Sequence, residues 1–259
     1  MIPIKSERDL EILRRSGKIL AKIMRQAEGF IRPGVSTAQI DSFTEELVLK
    51  ENAIPAFKGY KGFPATVCTS INEEIVHGIP GERKLKEGDI ISLDLGINYE
   101  GYFSDVAITL AIGEVDSRVK KLVEVTKKAL FEGIRQARAK NHLSDISYSI
   151  QNYVEKNGFS VVRQFVGHGI GYNLHEEPEV PNFGRPGEGP LLESGMVLAI
   201  EPMVNMGTWE SEILGNGWTA VTKDRLPSAH FEHTVAITEN GPEILTFMSG
   251  ANERRTHCD

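Results

Sequence analysis

The stretch that most limits the fold of this chain is ISLDLGINYEGYFSDVAITL, residues 91–110. Apolar residues alternate with small or polar residues on both sides of a central Tyr-Glu-Gly, which predicts two β-strands joined as a hairpin. If residues 99–101 form the turn, the numbers of facing positions sum to about 199 or 200, so Asp94 and Asp105 are expected to face one another. Two acids inside strands with a buried pattern require a chemical explanation.

Like charges directly opposite one another destabilise a sheet. The two acids could lie on a solvated face, which needs no further chemistry. If they are buried, they must share a proton or be compensated by a cation. The hairpin therefore leaves two functional interpretations open: a general acid/base pair of the glycosidase type, or a pair of metal ligands.

Helical and strand patterns follow one another in the same order twice along the chain. The spacing of apolar residues predicts two helices, strands, two further helices and further strands. The helices are expected at 6–30, 37–52, 116–139 and 144–157, and the strands other than the hairpin near 65–70, 160–166, 196–204, 219–222 and 231–238. No low-complexity linker separates the two parts, so residues 1–259 are predicted to form one α+β domain with two related halves.

Composition excludes several classes of protein. A net charge of −7 argues against a general nucleic-acid binder, which usually carries a basic surplus. Two cysteines, Cys68 and Cys258, provide no disulfide framework and are typical of a reducing compartment. The first residues lack the apolar core of a signal peptide, and no apolar run approaches the ~20 residues of a membrane span. The sequence predicts a cytoplasmic protein with no membrane partner, and a monomer is the default expectation.

Further candidate ligands lie in the second half. His168 stands between two glycines, which disfavours a helix and indicates a close backbone approach, and His175 follows seven residues later. Glu201 ends an apolar run directly before a proline, and Glu232 lies inside another apolar strand. Each of these residues alone has an ordinary structural explanation, but four acids in such positions are harder to dismiss together.

The charges of these residues favour metal binding. Four buried carboxylates carry a charge that two divalent cations balance, whereas burial without cations would be prohibitive. Ligation by oxygen atoms with a single imidazole is typical of Mn, Fe(II), Co or Zn, and two such ions activate a water molecule for hydrolysis. The HExxH motif is absent, so a thermolysin-like site is not expected.

The motifs DLGINYEGYFSD, GHGIG, HEEP, IEPMV and EHT, with INEEIVHGIP and GWTAVTKDR between them, resemble those of the type I methionine aminopeptidases. These are metallopeptidases of the pita-bread fold, in which two pseudo-symmetric halves form a curved antiparallel sheet covered by helices. The resemblance runs from the first helix to about Thr246. It implies removal of the initiator methionine from nascent polypeptides, at the ribosome in some settings, with a preference for a small second residue.

The resemblance also implies roles for individual residues. Two divalent ions are expected to be held by Asp94, Asp105, His168, Glu201 and Glu232, with Asp105 and Glu232 bridging both. Glu201 would also shuttle a proton from the attacking water to the leaving amine. His175 would lie near the scissile carbonyl and the oxyanion, and His77 near the substrate amide nitrogen.

The methionine side chain of the substrate is expected to occupy an apolar pocket. Its implied lining residues are Tyr60, Phe63, Cys68, Leu174 and Trp218. Asn72 and Ser228 match positions that hold a monovalent cation in some relatives.

Three alternatives accompany this resemblance. A prolidase or Xaa-Pro aminopeptidase shares the fold and ligands, but such proteins usually carry a large additional N-terminal domain. Type II methionine aminopeptidases carry an insertion between the histidine and the first glutamate ligand, whereas only 33 positions separate His168 from Glu201 here. An inactive protein- or RNA-binding relative would typically have lost ligands, and all five are present.

Overall fold

A computed structural model describes residues 1–247 and contains, in that range, four α-helices and fifteen strands. Cys258 lies outside the described residues. The helices are α1 (Glu7–Phe30), α2 (Thr37–Lys50), α3 (Ser117–Gln136) and α4 (Leu143–Lys156). The strands are β1 (Ile54–Pro55), β2 (Cys68–Ile71), β3 (Glu74–Val76), β4 (Ile90–Tyr99), β5 (Tyr102–Ala111), β6 (Ser160–Val161), β7 (Gly167–Gly169), β8 (Glu176–Val180), β9 (Val197–Ile200), β10 (Met203–Asn205), β11 (Ser211–Ile213), β12 (Ala220–Thr222), β13 (Ser228–His230), β14 (Glu232–Thr238) and β15 (Gly241–Ile244). The predicted order, two helices followed by strands and then repeated, is confirmed.

The first two helices begin at capping boxes that are visible in the sequence. The Ser6 hydroxyl accepts a hydrogen bond from the backbone N–H of Asp9, whose carboxylate accepts one from the backbone N–H of Ser6 at 2.8 Å. Ser36 and Gln39 repeat this arrangement at the start of α2. Each exchange satisfies N–H groups that have no partner within the helix, which fixes where the helix starts. The predicted beginnings of both helices are therefore confirmed.

All strand pairings among the described residues are antiparallel. The main sheet has nine strands in the order β1-β4-β5-β14-β9-β7-β8, with β15 paired to β14 and β2 paired to β4. Two three-stranded sheets, β13-β10-β6 and β11-β12-β3, accompany it. Since β5 belongs to the first half and β14 to the second, their pairing makes the two halves one continuous sheet.

The helices cover the apolar side of the main sheet. Helix α1 contacts β4 and β5, while α3 packs on α4 and on strands of the second half. Leu93 and Leu95 of β4 share a fully buried core with Leu20 and Ile23 of α1. Because side chains alternate along a strand, the residue between those two leucines, Asp94, points to the opposite side of the sheet. The predicted α+β class is confirmed, and the sheet leaves one side free for a site.

The central hairpin has a tighter turn than the sequence predicts. Tyr99 pairs with Tyr102, so the turn consists of Glu100 and Gly101 alone. Both turn residues adopt left-handed backbone conformations, with φ of 52° and 86°. A two-residue turn with two positive φ values matches the twist of the flanking strands. Glutamate is an unusual first residue for such a turn, which is why the sequence pattern favoured a longer one.

The tighter turn changes the register of the two acids. Asp94 pairs with Ala107, and Asp105 pairs with Gly96. The prediction that Asp94 and Asp105 face one another is therefore wrong. They lie on the same face of the sheet as diagonal neighbours, because Asp105 is two positions from the partner of Asp94. The diagonal spacing leaves more room between the two carboxylates than direct opposition would.

Some predicted strands are shorter than expected. The stretch at 160–166 contains only Ser160–Val161, and the next strand begins at Gly167. The stretch at 196–204 is divided between β9 and β10 at Glu201 and Pro202, since proline has no N–H for the ladder. No helix among residues 1–247 is long and apolar enough to cross a membrane.

Two glycines of α1 differ in how closely the neighbouring chain approaches them. A Cβ atom on Gly17 would lie 2.3 Å from the carbonyl oxygen of Leu245, whereas a Cβ on Gly29 would have no neighbour within 4 Å. We expect Gly17→Ala to destabilise the protein by about 1–3 kcal/mol through overpacking. Gly29→Ala should stabilise it by up to about 1 kcal/mol through helix propensity. Urea unfolding of both variants measures these changes, and equal effects would contradict the close approach.

Candidate metal centre

Five adjacent strands of the main sheet each bring one candidate ligand to the same side. Asp94 lies on β4, Asp105 on β5, Glu232 on β14 and His168 on β7, and Glu201 directly follows β9. In the sheet these strands are neighbours in the order β4-β5-β14-β9-β7. The structure thus brings together all five residues that the sequence singled out.

Glycine on each side of His168 allows a close approach of neighbouring strands. A Cβ on Gly167 would lie 2.4 Å from the carbonyl oxygen of Ala199, and one on Gly169 would lie 2.2 Å from that of Glu177. A β-bulge between His168 and Gly169 shifts the register at this point. The expectation that these glycines mark a close backbone approach is confirmed, and the approach is to β9 and β8.

The four carboxylates are nearly inaccessible to solvent. Their residues are 8% (Asp94), 4% (Asp105), 9% (Glu201) and 2% (Glu232) exposed. Desolvation raises the pKa of each carboxyl, to about 7 for Asp105. Repulsion from the other acids acts in the same direction on Asp94, Glu201 and Glu232. The cluster therefore strongly disfavours its own ionised state unless positive charge is nearby.

Two carboxylate oxygens of this cluster lack any protein partner. Within residues 1–247, Oδ1 of Asp94 and Oε1 of Glu232 are buried and accept no hydrogen bond. Asp105 differs, because its Oδ1 accepts the Val106 N–H at 2.9 Å. Buried acceptors are almost always satisfied in folded proteins. Oxygens left without a donor in a common cavity are those that a cation would use.

The ring of His168 is held in one tautomer. Its Nδ1 lies 2.9 Å from the carbonyl oxygen of Gly169, an atom that can only accept, so Nδ1 carries the hydrogen. Burial lowers the pKa of His168 to about 4, so the imidazole is neutral at neutral pH. The lone pair of Nε2 is left free on the side of Glu201, whose Oε1 is 3.5 Å away. A neutral imidazole with a free nitrogen is suited to bind a metal ion.

Ligand atoms of Asp105, His168 and Glu232 all lie within 4.8 Å of one another. Asp94 and Glu201 line the same cavity. Three or more carboxylate oxygens and one imidazole nitrogen form a donor set that suits a divalent ion of the Mn, Fe(II), Co or Zn type. The carboxylate oxygens without a hydrogen-bond donor and the raised pKa values of the four acids also favour a bound cation, so these residues fit a metal ion.

The two other candidate histidines stand at the wall of this cavity. Nδ1 of His175 lies 3.0 Å from the Tyr60 hydroxyl, and its ring centroid is 4.1 Å from that of His168. The ring of His77 contacts Phe165 and Trp218 edge to face. Desolvation lowers the pKa of His77 to about 4 and, together with the nearby His168, that of His175 to about 3. Both rings are therefore neutral at neutral pH.

One cavity of about 200 Å³ joins the acids, the histidines and the predicted apolar pocket. Phe63 and Trp218 meet edge to face there with ring centroids 5.2 Å apart. The twelve predicted site residues all line it, namely Tyr60, Phe63, Cys68, His77, Asp94, Asp105, His168, Leu174, His175, Glu201, Trp218 and Glu232.

Phe57, Lys61 and Val76 also line the cavity, and the sequence did not single out Lys61, Val76 or the nearby His230. His230 is 1% exposed, its Nε2 lies 3.6 Å from Oε2 of Glu201, and neither ring nitrogen has a hydrogen-bond partner among the described residues. It lies two residues before Glu232, and this proximity was the one signal that could have identified it.

Asn72 and Ser228, the pair expected at a monovalent cation, are in contact outside this cavity. The backbone N–H of Ser228 donates to the carbonyl oxygen of Asn72 at 2.8 Å. The Ser228 hydroxyl lies 3.1 Å from the Val204 carbonyl oxygen and 2.9 Å from Oδ1 of Asn205, while the Asn72 side chain donates to Asp89 and accepts from the Ile90 N–H. These polar groups are all satisfied within the protein, so a cation at this position stays a prediction.

Comparison with known proteins gives a consistent result. The profile of metallopeptidase family M24 matches residues 11–239. The chain is 55% identical over 247 residues to a methionine aminopeptidase of Clostridium acetobutylicum, covering 95% of this chain and 99% of that protein. It is 50% identical over 246 residues to methionine aminopeptidase 1 of Bacillus subtilis, covering 95% and 99%.

A solved structure confirms the fold. The crystal structure of methionine aminopeptidase from Rickettsia prowazekii matches with a TM-score of 0.94 and 40% identity, covering 95% of this chain and all of that one. The predicted pita-bread fold, with an antiparallel sheet covered by helices, is therefore correct.

The raised carboxyl pKa values predict an unusual pH dependence for the metal-free protein. Asp105 has a folded pKa of about 7, above its unfolded value of ~3.9, so the folded state binds more protons between these values. Its contribution to stability therefore falls as pH rises through that window. Buried neutral histidines contribute with the opposite slope, so the comparison must be made between variants.

We expect the stability of the chelated protein, relative to Asp105→Asn, to fall between about pH 4 and pH 7. Urea unfolding at several pH values in the presence of a chelator measures this difference. Glu239→Gln, at an exposed position, is the matched control for the loss of a carboxylate. If the stability of the chelated wild type relative to Asp105→Asn rose with pH, the result would contradict the burial of an uncompensated Asp105 carboxylate.

Proposed function

The chain belongs to metallopeptidase family M24 and, within it, to the methionine aminopeptidases, and from this premise we propose how its own residues perform the reaction. The proposed reaction is removal of the N-terminal methionine from peptides and nascent proteins, preferentially when the second residue is small. The observation that carries the proposal is the set of five candidate ligands on five adjacent strands, buried in one cavity with an apolar wall.

The proposed ligands of two divalent ions are the four buried acids and the neutral imidazole: Asp94, Asp105, His168, Glu201 and Glu232. When bound, such ions would polarise the scissile carbonyl and lower the pKa of a water molecule toward neutrality. The protein contributes a rigid mount, because strands hold these side chains more precisely than loops do. Reconstitution of the metal-free protein with Co, Mn, Fe(II) or Zn tests which ion supports turnover.

Glu201 is the proposed proton carrier. It directly follows β9, and its carboxyl has a raised pKa caused by desolvation and by the neighbouring Asp94 and Asp105. A carboxylate with raised basicity accepts a proton from the attacking water and returns it to the leaving amine. Its Oε1 lies 3.5 Å from Nε2 of His168, so the proposed proton carrier stands beside the imidazole ligand.

His175 is the proposed donor to the carbonyl oxygen as negative charge develops there. If the Tyr60 hydroxyl donates to Nδ1, Nε2 of the neutral ring carries the hydrogen and is free to donate. His77, also neutral, is held between Phe165 and Trp218 and is the proposed contact for the substrate amide nitrogen. The methionine side chain would occupy the wall formed by Tyr60, Phe63, Cys68, Leu174 and Trp218.

We further propose that residues 1–259 act as one catalytic domain, as a monomer, in the cytoplasm, on polypeptide N-termini that include those emerging from the ribosome. The two-cysteine composition supports a reducing compartment. The continuous nine-stranded sheet across both halves supports a single domain. Gel filtration and fractionation of the expressing cells test the oligomeric state and the location.

Removing one proposed ligand should abolish metal binding and activity together. We expect Asp105→Asn to remain folded and soluble but to lose bound metal and at least about a hundredfold in kcat/KM. Metal analysis by mass spectrometry and hydrolysis of Met-Gly-Met measure both properties on one preparation. Glu239→Gln is the control, and full activity of Asp105→Asn with normal metal content would refute the assignment.

Substrate choice separates the proposed function from its alternatives. The metal-reconstituted protein should hydrolyse Met-Gly-Met and fail to hydrolyse Ala-Pro peptides, whereas an Xaa-Pro aminopeptidase would show the opposite preference. An inactive binding protein would turn over neither substrate. His175→Ala should lower kcat roughly 10²–10³-fold with a smaller change in KM, since a donor to the developing oxyanion acts in the transition state.

A further inference from the structure

The segment that presents His175 to the cavity has little regular structure of its own. Residues 171–176, which we call the histidine loop, connect β7 to the start of β8. Within it, the backbone N–H of Gly171 donates to the carbonyl oxygen of Asn173, and Gly171 accepts from the N–H of Phe103. Leu174 and His175 line the cavity. The position of these two side chains must therefore depend on contacts that the rest of the loop makes.

The first such contact is a buried ion pair at the end of the loop. Nζ of Lys5 donates to Oε2 of Glu176, and the two side chains are only 1% and 3% exposed. The other oxygen of Glu176 accepts the backbone N–H of Asn173 at 2.8 Å. One carboxylate thus closes the loop on itself and ties it to a residue that is 171 positions distant.

The chain is shaped to admit the lysine. A Cβ on Gly171 would lie 2.5 Å from Cε of Lys5, so glycine at this position leaves the space that the lysine side chain fills. The backbone N–H of Lys5 donates to the carbonyl oxygen of Gly195 at 2.8 Å, which fixes the base of the side chain. Lys5 is the only lysine or arginine among the buried residues of the described chain.

A second contact holds the other end of the histidine loop. The Tyr172 hydroxyl donates to Asp9 at 2.8 Å, and the Tyr102 hydroxyl donates to the other oxygen of the same carboxylate at 2.5 Å. Asp9 lies in the first turn of α1 and belongs to its capping box. Lys5 and Asp9 together, which we call the N-terminal anchor, therefore fasten the loop at Tyr172 and Glu176, on either side of the two cavity residues.

A buried ion pair is weak evidence of stabilisation, because well-packed apolar residues often replace such a pair without loss. What the pair adds is a fixed direction, since a charge-assisted hydrogen bond has stricter geometry than an apolar contact. Catalytic groups need placement within a fraction of an ångström. Glu176 directly follows His175 in the chain, so its orientation constrains the backbone from which the His175 ring projects.

We propose that Lys5 is a positioning residue for catalysis: its ion pair with Glu176 holds the histidine loop so that the His175 ring stays against His168 and Tyr60. This inference rests on the role proposed for His175 in the reaction. Lys5 itself does not line the cavity. Its effect on turnover is exerted through His175.

The test begins with Lys5→Met in the metal-loaded protein. We expect kcat for Met-Gly-Met to fall about tenfold or more, with a smaller change in KM and unchanged metal content. Lys18→Met, at an exposed position of α1, is the matched control and should leave kcat unchanged. A normal kcat in Lys5→Met would overturn the proposal.

A second variant separates positioning from stability. Lys5→Met leaves the Glu176 carboxylate buried without its partner, so part of its effect could come from lost stability. Lys5→Met with Glu176→Gln removes both charges and retains an acceptor for Asn173. We expect the melting temperature of this double variant to recover toward wild type while kcat stays low. Recovery of kcat in parallel with the melting temperature would show a purely structural role and refute the proposal.

A mutant cycle with His175→Ala tests whether Lys5 acts through this histidine. If it does, Lys5→Met should lower kcat little further once His175 is absent, whereas independent effects would multiply. Histidine-ring NMR resonances provide a readout that needs no turnover, and the His175 signal should shift in Lys5→Met but not in Lys18→Met. The proposal that Lys5 positions His175 would be overturned if the His175 signal did not shift in Lys5→Met, or if the losses in kcat from the two substitutions multiplied in the double variant. A His175→Ala variant with normal kcat would instead refute the proposed role of His175.

Discussion

The burial of four carboxylates on adjacent strands is the constraint on which the rest of this structure depends. Each acid is at most 9% exposed, and two of their oxygens have no donor among the described residues. Repulsion and desolvation together raise the pKa of these carboxyls, so without a cation the ionised cluster opposes folding at neutral pH. A bound cation would make the ionised carboxylates stabilising, because each would then be attracted to the cation and not only repelled by its neighbours.

The fold offsets this cost on the opposite side of the same strands. Leu93 and Leu95 flank Asp94 in the sequence and are fully buried under α1, so alternation gives β4 one apolar face and one face that carries Asp94. Hydrophobic packing under the helices keeps the sheet rigid, while the acids face the cavity. Gly167 and Gly169 permit strand contacts that any side chain would block, which brings His168 into the same cluster.

The sequence predicted the chemistry of the site better than its geometry. Acids inside apolar strands and a histidine between glycines are local signals, and the structure brings all five together. The hairpin register was wrong because Glu100 adopts a positive φ that its residue type disfavours. Lys5 gave no local signal, and His230 gave only its closeness to Glu232 in the sequence, since the importance of each depends on a partner that only the tertiary fold supplies, Glu176 and Glu201 respectively. The types of the ligand residues could be recognised from local sequence, whereas the strand register and the contacts between distant residues could not.

The division of the ligands between the two halves links the site to the assembly of the fold. The first half supplies Asp94 and Asp105, and the second supplies His168, Glu201 and Glu232. The halves meet where β5 pairs with β14, at Val106 with His233 and Ala107 with Glu232. Such pairing joins residues far apart in sequence, so closing the intervening chain costs conformational entropy. The charge cluster is complete only once that seam closes, so a metal ion that binds the complete cluster but not the unfolded chain would stabilise the joined halves by mass action.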